Sequence, residues 1–159
     1  MTKIINLILP KTISNLYLGP KIPLYLFYFI TLITVARSLV HIFAPDGGAS
    51  SIATIPINNF ANGGRETVIF MFAVWGLSQL MIGLLYLIVS LRYKSLVALM
   101  YISIFVEYLG RFLIGHTKTI QTLETAPGEI GNYVMIPLSL VMVVWIIMRS
   151  YKVSDTSKI

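Results

Sequence analysis

Four ionisable residues stand inside strongly apolar stretches of this 159-residue chain: Arg37, His41, Glu107 and Arg111. A charged side chain at the middle of a membrane helix costs at least ~2.5 kcal/mol on insertion scales, so each asks for a partner or a purpose. Arg37 and His41 are one helical turn apart, as are Glu107 and Arg111, and i, i+4 spacing puts the members of each pair on one helix face. In the second pair the acid precedes the base, the order that best supports an intrahelical ion pair. The guanidinium groups are charge-assisted donors for an anion, the carboxylate can hold one of them or exchange a proton, and the imidazole titrates near neutral pH. The plainer uses are a neutralised Glu107–Arg111 pair that only fixes helix packing, and an Arg37 that snorkels to the headgroups.

Other chemistry is poorly provided for. The chain has no cysteine, which excludes disulfides, iron–sulfur ligation, thioether-bound haem and a thiol nucleophile. Two histidines without cysteine are thin provision for a metal site, and no set of nucleophile, base and orienting group is apparent. No cofactor can be named, and an enzymatic role is not expected.

The elements that must position these residues follow from composition. Hydrophobic residues make up 57% of the chain and charged ones only 11%, against roughly a quarter charged in an ordinary soluble domain. That excludes a soluble globular protein, and a mean hydropathy of +0.83 excludes disorder. A span needs ~20 residues to cross ~30 Å of hydrocarbon. The apolar runs predict four, at about 22–43, 67–91, 95–115 and 132–148, within a membrane domain over 21–149. Residues 1–20, apolar but broken by Pro10, read as an interfacial arm; a signal peptide is the competing reading, without its small-residue cleavage signature. Residues 150–159 read as a tail.

Turn and breaker residues set the connections. Pro45-Asp46-Gly47-Gly48 opens the first and Asn62-Gly63-Gly64 closes it, around an apolar middle, 52–57, that lies on the membrane or folds back as a lid. Arg92-Tyr93-Lys94 alone joins the second and third spans, which forces an antiparallel neighbour. The third connection, His116 to Gly131, reads as exposed. The expected fold is an all-α integral membrane protein, an antiparallel bundle of four transmembrane helices.

Basic residues sort by side. Lys3, Lys11 and Lys21, then Arg92 and Lys94, then Arg149, Lys152 and Lys158 all fall on one side of a four-span chain, and the other side is slightly acidic. The positive-inside rule then makes both termini cytoplasmic. Short juxtamembrane clusters of this kind are not a nucleic-acid surface. With spans one and three parallel, Arg37, His41, Glu107 and Arg111 share the outer leaflet, near His116, Asp46, Arg65 and Glu66. Thr31, Thr34, Arg37, Ser38 and His41 form one polar stripe, and Gly76 and Gly83 place Gln79 on a closely packed face. Pro137 can kink the fourth span.

The Glu107-Tyr108-Leu109-Gly110-Arg111 segment, a polar Gly-Arg step in the third of four short spans, resembles the small four-helix membrane proteins of the DoxX-like type. The resemblance implies a small multi-pass protein of the cell (inner) membrane, in some members a membrane subunit linked to redox partners. The expected function is a polar, net-positive outer-leaflet pocket for a small anionic or polar amphiphile: a lipid headgroup, a quinone or a carboxylate. Its candidate ligand-binding residues are Arg37, His41, Gln79, Glu107, Arg111 and His116. The alternative is a non-catalytic accessory or assembly subunit of a larger membrane complex. Membrane lipid is the expected partner, with a larger complex or a homo-oligomer beside it.

Overall fold

The structure, a computed structural model, describes residues 2–61 and 63–156. Of the features above, Asn62 and the tail beyond 156 lie outside it. Among the described residues there are helices and no strands: α1 (Thr2–Ile8), α2 (Lys21–Phe43), α3 (Gly64–Arg92), α4 (Val97–Thr117) and α5 (Pro127–Thr156). Four of these, α2 to α5, are long and apolar enough to cross a membrane, which makes this a multi-pass membrane protein. Leu32, Phe29, Met81, Leu91, Val106 and Met148 lie exposed on them, as lipid-facing residues would.

Prolines and glycines set the helix ends. Pro23 falls in the first turn of α2, where a missing N–H costs nothing. The helix stops at Phe43 because Pro45 drives Ala44 into extended backbone, φ −67° and ψ 143°. Gly63, at φ +80°, turns the chain into α3, which therefore begins at Gly64, ahead of the apolar run expected from 67. Pro127 opens α5, the favoured place for a helical proline, so this helix starts before the apolar run at 132. It continues through Pro137, where the Ser139 hydroxyl donates to the carbonyls of Met135 and Ile136 at 2.6 and 3.1 Å.

Packing is uneven. α2 lies along α3 and α4 along α5, while the two pairs meet each other sparingly. They meet most firmly where Phe27, Tyr86 and Tyr101 converge, and Tyr101 Oη donates to the Pro23 carbonyl at 2.7 Å. Tyr101 is 0% exposed, so its hydroxyl needs that acceptor. Along the α2–α3 seam the hydroxyls of Thr31, Thr34 and Ser38 are buried, and each donates to the carbonyl one turn back at 2.6 to 2.8 Å. The polar stripe of α2 is thus largely satisfied within its own helix.

The 44–63 connection folds on itself. Ala49, Ile55 and Ile57 form a small buried cluster against Val68, Ile69 and Phe72 of α3. The arm is fastened too: Ser14 N–H donates to Ser95 Oγ at 3.1 Å, and Ser95 N–H donates to the Ser14 carbonyl at 3.2 Å.

Candidate functional site

The half of the bundle beside the 44–63 connection carries the charges. Arg37 on α2 and Arg111 on α4 both lie over the indole of Trp75 on α3, with guanidinium carbons 5.6 and 5.2 Å from the ring centroid. Each distance is within cation–π range. Arg111 also stands 5.1 Å from the Tyr108 ring. Three helices therefore meet at one aromatic side chain, where the apolar core between the pairs gives way to polar groups.

The polar partners divide unevenly. Arg37 Nη2 donates to Gln79 Oε1 at 3.0 Å, and Gln79 is buried. Arg37 Nε is buried without a hydrogen-bond partner among the described residues. Arg111 Nη1 donates to Glu107 Oε1 at 3.4 Å, a long bond for an ion pair, and both side chains are 21% exposed. Of the two guanidiniums, Arg111 thus has the carboxylate of its own helix and Arg37 a neutral amide. The first turn of α5 comes close to Arg111: a Cβ on Gly128 would stand 3.8 Å from Arg111 Nη2. A helix start carries partial positive charge, so the surroundings of Arg111 remain electropositive.

His41 is drawn to the connection. Its Nδ1 lies 2.7 Å from the Gly47 carbonyl, which can only accept, so Nδ1 carries the proton and Nε2 is left as the acceptor of the neutral ring. Its ring sits against Trp75 at 4.7 Å and Phe72 at 5.6 Å between centroids. Gly47 and Gly48, at φ +61° and +76°, bring the turn this close, and a Cβ on Gly48 would stand 3.2 Å from His41 Nδ1. The Gly47-Gly48 step is therefore a turn latched to the histidine.

Asp46 organises that turn. Its carboxylate accepts from the backbone N–H groups of Gly48, Ser50 and Ser51 and from the Ser51 hydroxyl, at 2.7 to 3.1 Å. Partial burial pushes its pKa up, but these donors outweigh it and hold the carboxyl below its ordinary value.

Of the sequence-derived candidates, the structure brings Arg37, Gln79, His41, Glu107 and Arg111 around Trp75. His116 stands apart, exposed, with Nδ1 2.9 Å from the Phe112 carbonyl of its own helix. Gly110, the glycine of the Gly-Arg step, faces open space and serves no close approach. The two cavities described lie elsewhere, one beneath the arm and one beside Arg65 and Glu66. Trp75 itself escaped sequence reasoning. Its signal is the single turn that separates it from Gln79, well inside α3 and away from the helix ends where anchoring tryptophans sit. No described group of histidine, cysteine and acidic side chains could hold a metal ion. Compared with known proteins, the chain matches no family model, no curated protein and no solved structure.

Proposed function

We propose that this protein binds the anionic or strongly polar group of a small membrane-soluble molecule between its helix pairs at Trp75. A lipid headgroup, a quinone or a carboxylate would suit. The observation that carries the reading is the convergence of two guanidiniums, of Arg37 and Arg111, on one indole, with the Glu107 carboxylate paired to the second. An anion that approached from the membrane or the adjoining surface would meet Arg111 and the unpartnered Nε of Arg37, in surroundings dry enough to strengthen both bonds. The carbonyl of a neutral quinone could accept from the same donors.

The reading includes an arrangement. α2 to α5 form an antiparallel bundle with both termini on the cytoplasmic side of the inner membrane. Gly76 approaches Ser38 and His41, Gly83 approaches Thr34 and Val35, and Ser90 approaches Thr31, so later residues of α3 meet earlier residues of α2. The basic residues at the Arg92–Lys94 connection and both chain ends support the orientation. The Trp75 site then lies in the outer leaflet. The DoxX-like resemblance is compatible with this arrangement.

Native mass spectrometry on gently purified protein, with an absorption spectrum of the same sample, tests the proposal. A small molecule retained by the native chain should be lost in Arg111→Ala and weakened in Arg37→Gln. Undiminished retention in a folded Arg111→Ala protein would count against it. A bare chain that travels with a larger protein would make this an accessory subunit whose charges serve packing.

A further inference from the structure

At the other end of the helices, the arm, the α3–α4 connection and the far part of α5 enclose a cavity of about 190 Å³. Its polar lining consists mainly of groups able to donate: Asn6, Thr12, Tyr17, Lys94, Ser95 and Ser150. Among the described residues, no carboxylate lines it. The Tyr17 hydroxyl is buried and has no hydrogen-bond partner among the described residues, an arrangement that leaves its desolvation unrepaid. Burial, with Tyr28 nearby, pushes this phenol's pKa up, so it stays protonated and able to donate at neutral pH. Ser150 is buried as well, although it is polar and near the end of α5.

The walls are built. The reciprocal Ser14–Ser95 hydrogen bonds hold the arm over the connection, so the cavity is a feature of the fold and not a gap under a loose strand. A water molecule's share of liquid volume is roughly 30 Å³, so the space holds about six waters or a compact tetrahedral anion, and is small for a nucleotide. Lysine is seldom drawn in from the surface, yet Lys94 is half-buried and turned to this lining.

We infer that this cavity binds a phosphate group, with the Lys94 ammonium as counter-charge and the Tyr17 and Ser150 hydroxyls as donors. Phosphate chemistry arrives here either on an anionic phospholipid or as the free ion. The lipid fits the place, because the cavity opens at the ends of membrane-spanning helices, where headgroups lie.

The test uses the full chain in nanodiscs of phosphatidylcholine alone and of an equal mixture with phosphatidylglycerol, with native mass spectrometry to read bound lipid. Inorganic phosphate binding to detergent-purified protein, followed by calorimetry, is the second arm. Phosphatidylglycerol should be retained by the native chain and by Lys94→Arg. It should fall about fivefold or more in Lys94→Gln, in line with the value of one cation near a charged headgroup. It should weaken in Tyr17→Phe and stay unchanged in Arg92→Gln, whose exposed side chain is outside the cavity. Arg111→Ala should retain it too, which separates this site from the one at Trp75. Lys94-dependent binding of inorganic phosphate without lipid retention would support the same site with the free ion as its ligand. An equal loss in Arg92→Gln, or no Lys94-dependent binding of either probe, would overturn the inference.

Discussion

Thr54 and Glu124 are hydrogen-bonded in both directions: the Thr54 hydroxyl donates to the Glu124 carbonyl at 2.8 Å, and the Glu124 N–H donates back to that hydroxyl at 3.3 Å. The Thr54 carbonyl also accepts from Leu123 N–H at 2.9 Å. Two connections far apart in the chain are thus clasped, and each belongs to a different helix pair. Thr54 holds this position at φ +54°, a left-handed conformation uncommon for a branched residue.

Thr54→Val keeps the branched shape and the backbone conformation while it removes the hydroxyl. It should cost about 0.5–1 kcal/mol, the net worth of an ordinary hydrogen bond, and less if water replaces it fully at this exposed site. Hydrogen exchange should quicken at the amides of Leu123 and Glu124 and stay the same within α2 and α3. Unchanged exchange at Glu124 would mean that the backbone bond to Leu123 maintains the clasp alone.

Three helical glycines should respond differently to alanine. A Cβ on Gly76 would stand 2.7 Å from His41 Cβ and 3.1 Å from the Ser38 carbonyl, so α2 and α3 would have to part. Overpacking of that kind costs ~1–3 kcal/mol. Gly83→Ala meets Val35 Cγ2 at 3.0 Å, a methyl that can yield, and should cost less. Gly110→Ala meets nothing and should be neutral or stabilising by up to ~1 kcal/mol through helix propensity. Unfolding in mixed detergent micelles ranks the three, and equal effects would contradict the close α2–α3 approach.

Glu107→Gln separates the carboxylate's two roles. It leaves Arg111 without its ion-pair partner, so stability should fall. Affinity for an anion at Trp75 should rise, by about fivefold for a change near 1 kcal/mol, because the ligand no longer competes with an internal acid. Glu107→Ala would add a packing defect, so the isosteric glutamine is the cleaner choice. A weaker anion affinity in Glu107→Gln would mean that the acid positions Arg111 more than it competes.

Asp46 gives the 44–63 connection an acid limit. Its carboxyl pKa is lower in the folded chain than the ~3.9 of an unfolded one, so its contribution is fully present above that value and is lost as pH falls through the folded pKa. The turn should therefore keep its structure from neutral pH down to about 4 and loosen below. Amide exchange at Gly48, Ser50 and Ser51, corrected for intrinsic rates, reads this directly. Asp46→Asn should loosen the same amides at neutral pH, since a neutral amide accepts more weakly.

How far the site was legible depended on whether a residue's role is local. The Glu107–Arg111 pair lies within one helix turn, so spacing alone indicates it. Gln79 could be placed in the interior because Gly76 shares its face. The role of Trp75 could not be read so, because it depends on two other helices. His41 follows its own partner, the Gly47 carbonyl, which a glycine turn delivers from the connection and which no helical periodicity encodes.

By itself the sequence determined that four long apolar helices exist and roughly where they run, because the cost of leaving such residues in water adds up locally along the chain. It also determined which side chains would be costly inside them. Only the tertiary structure decided that Arg37 and Arg111 share Trp75, that His116 stands outside the cluster, and that the arm closes a cavity over Lys94. The rotation and approach of each helix are set by contacts between segments distant in sequence. Gly76 against His41, Tyr101 against Pro23 and Ser14 against Ser95 are such contacts, and each exists only once both partners have folded.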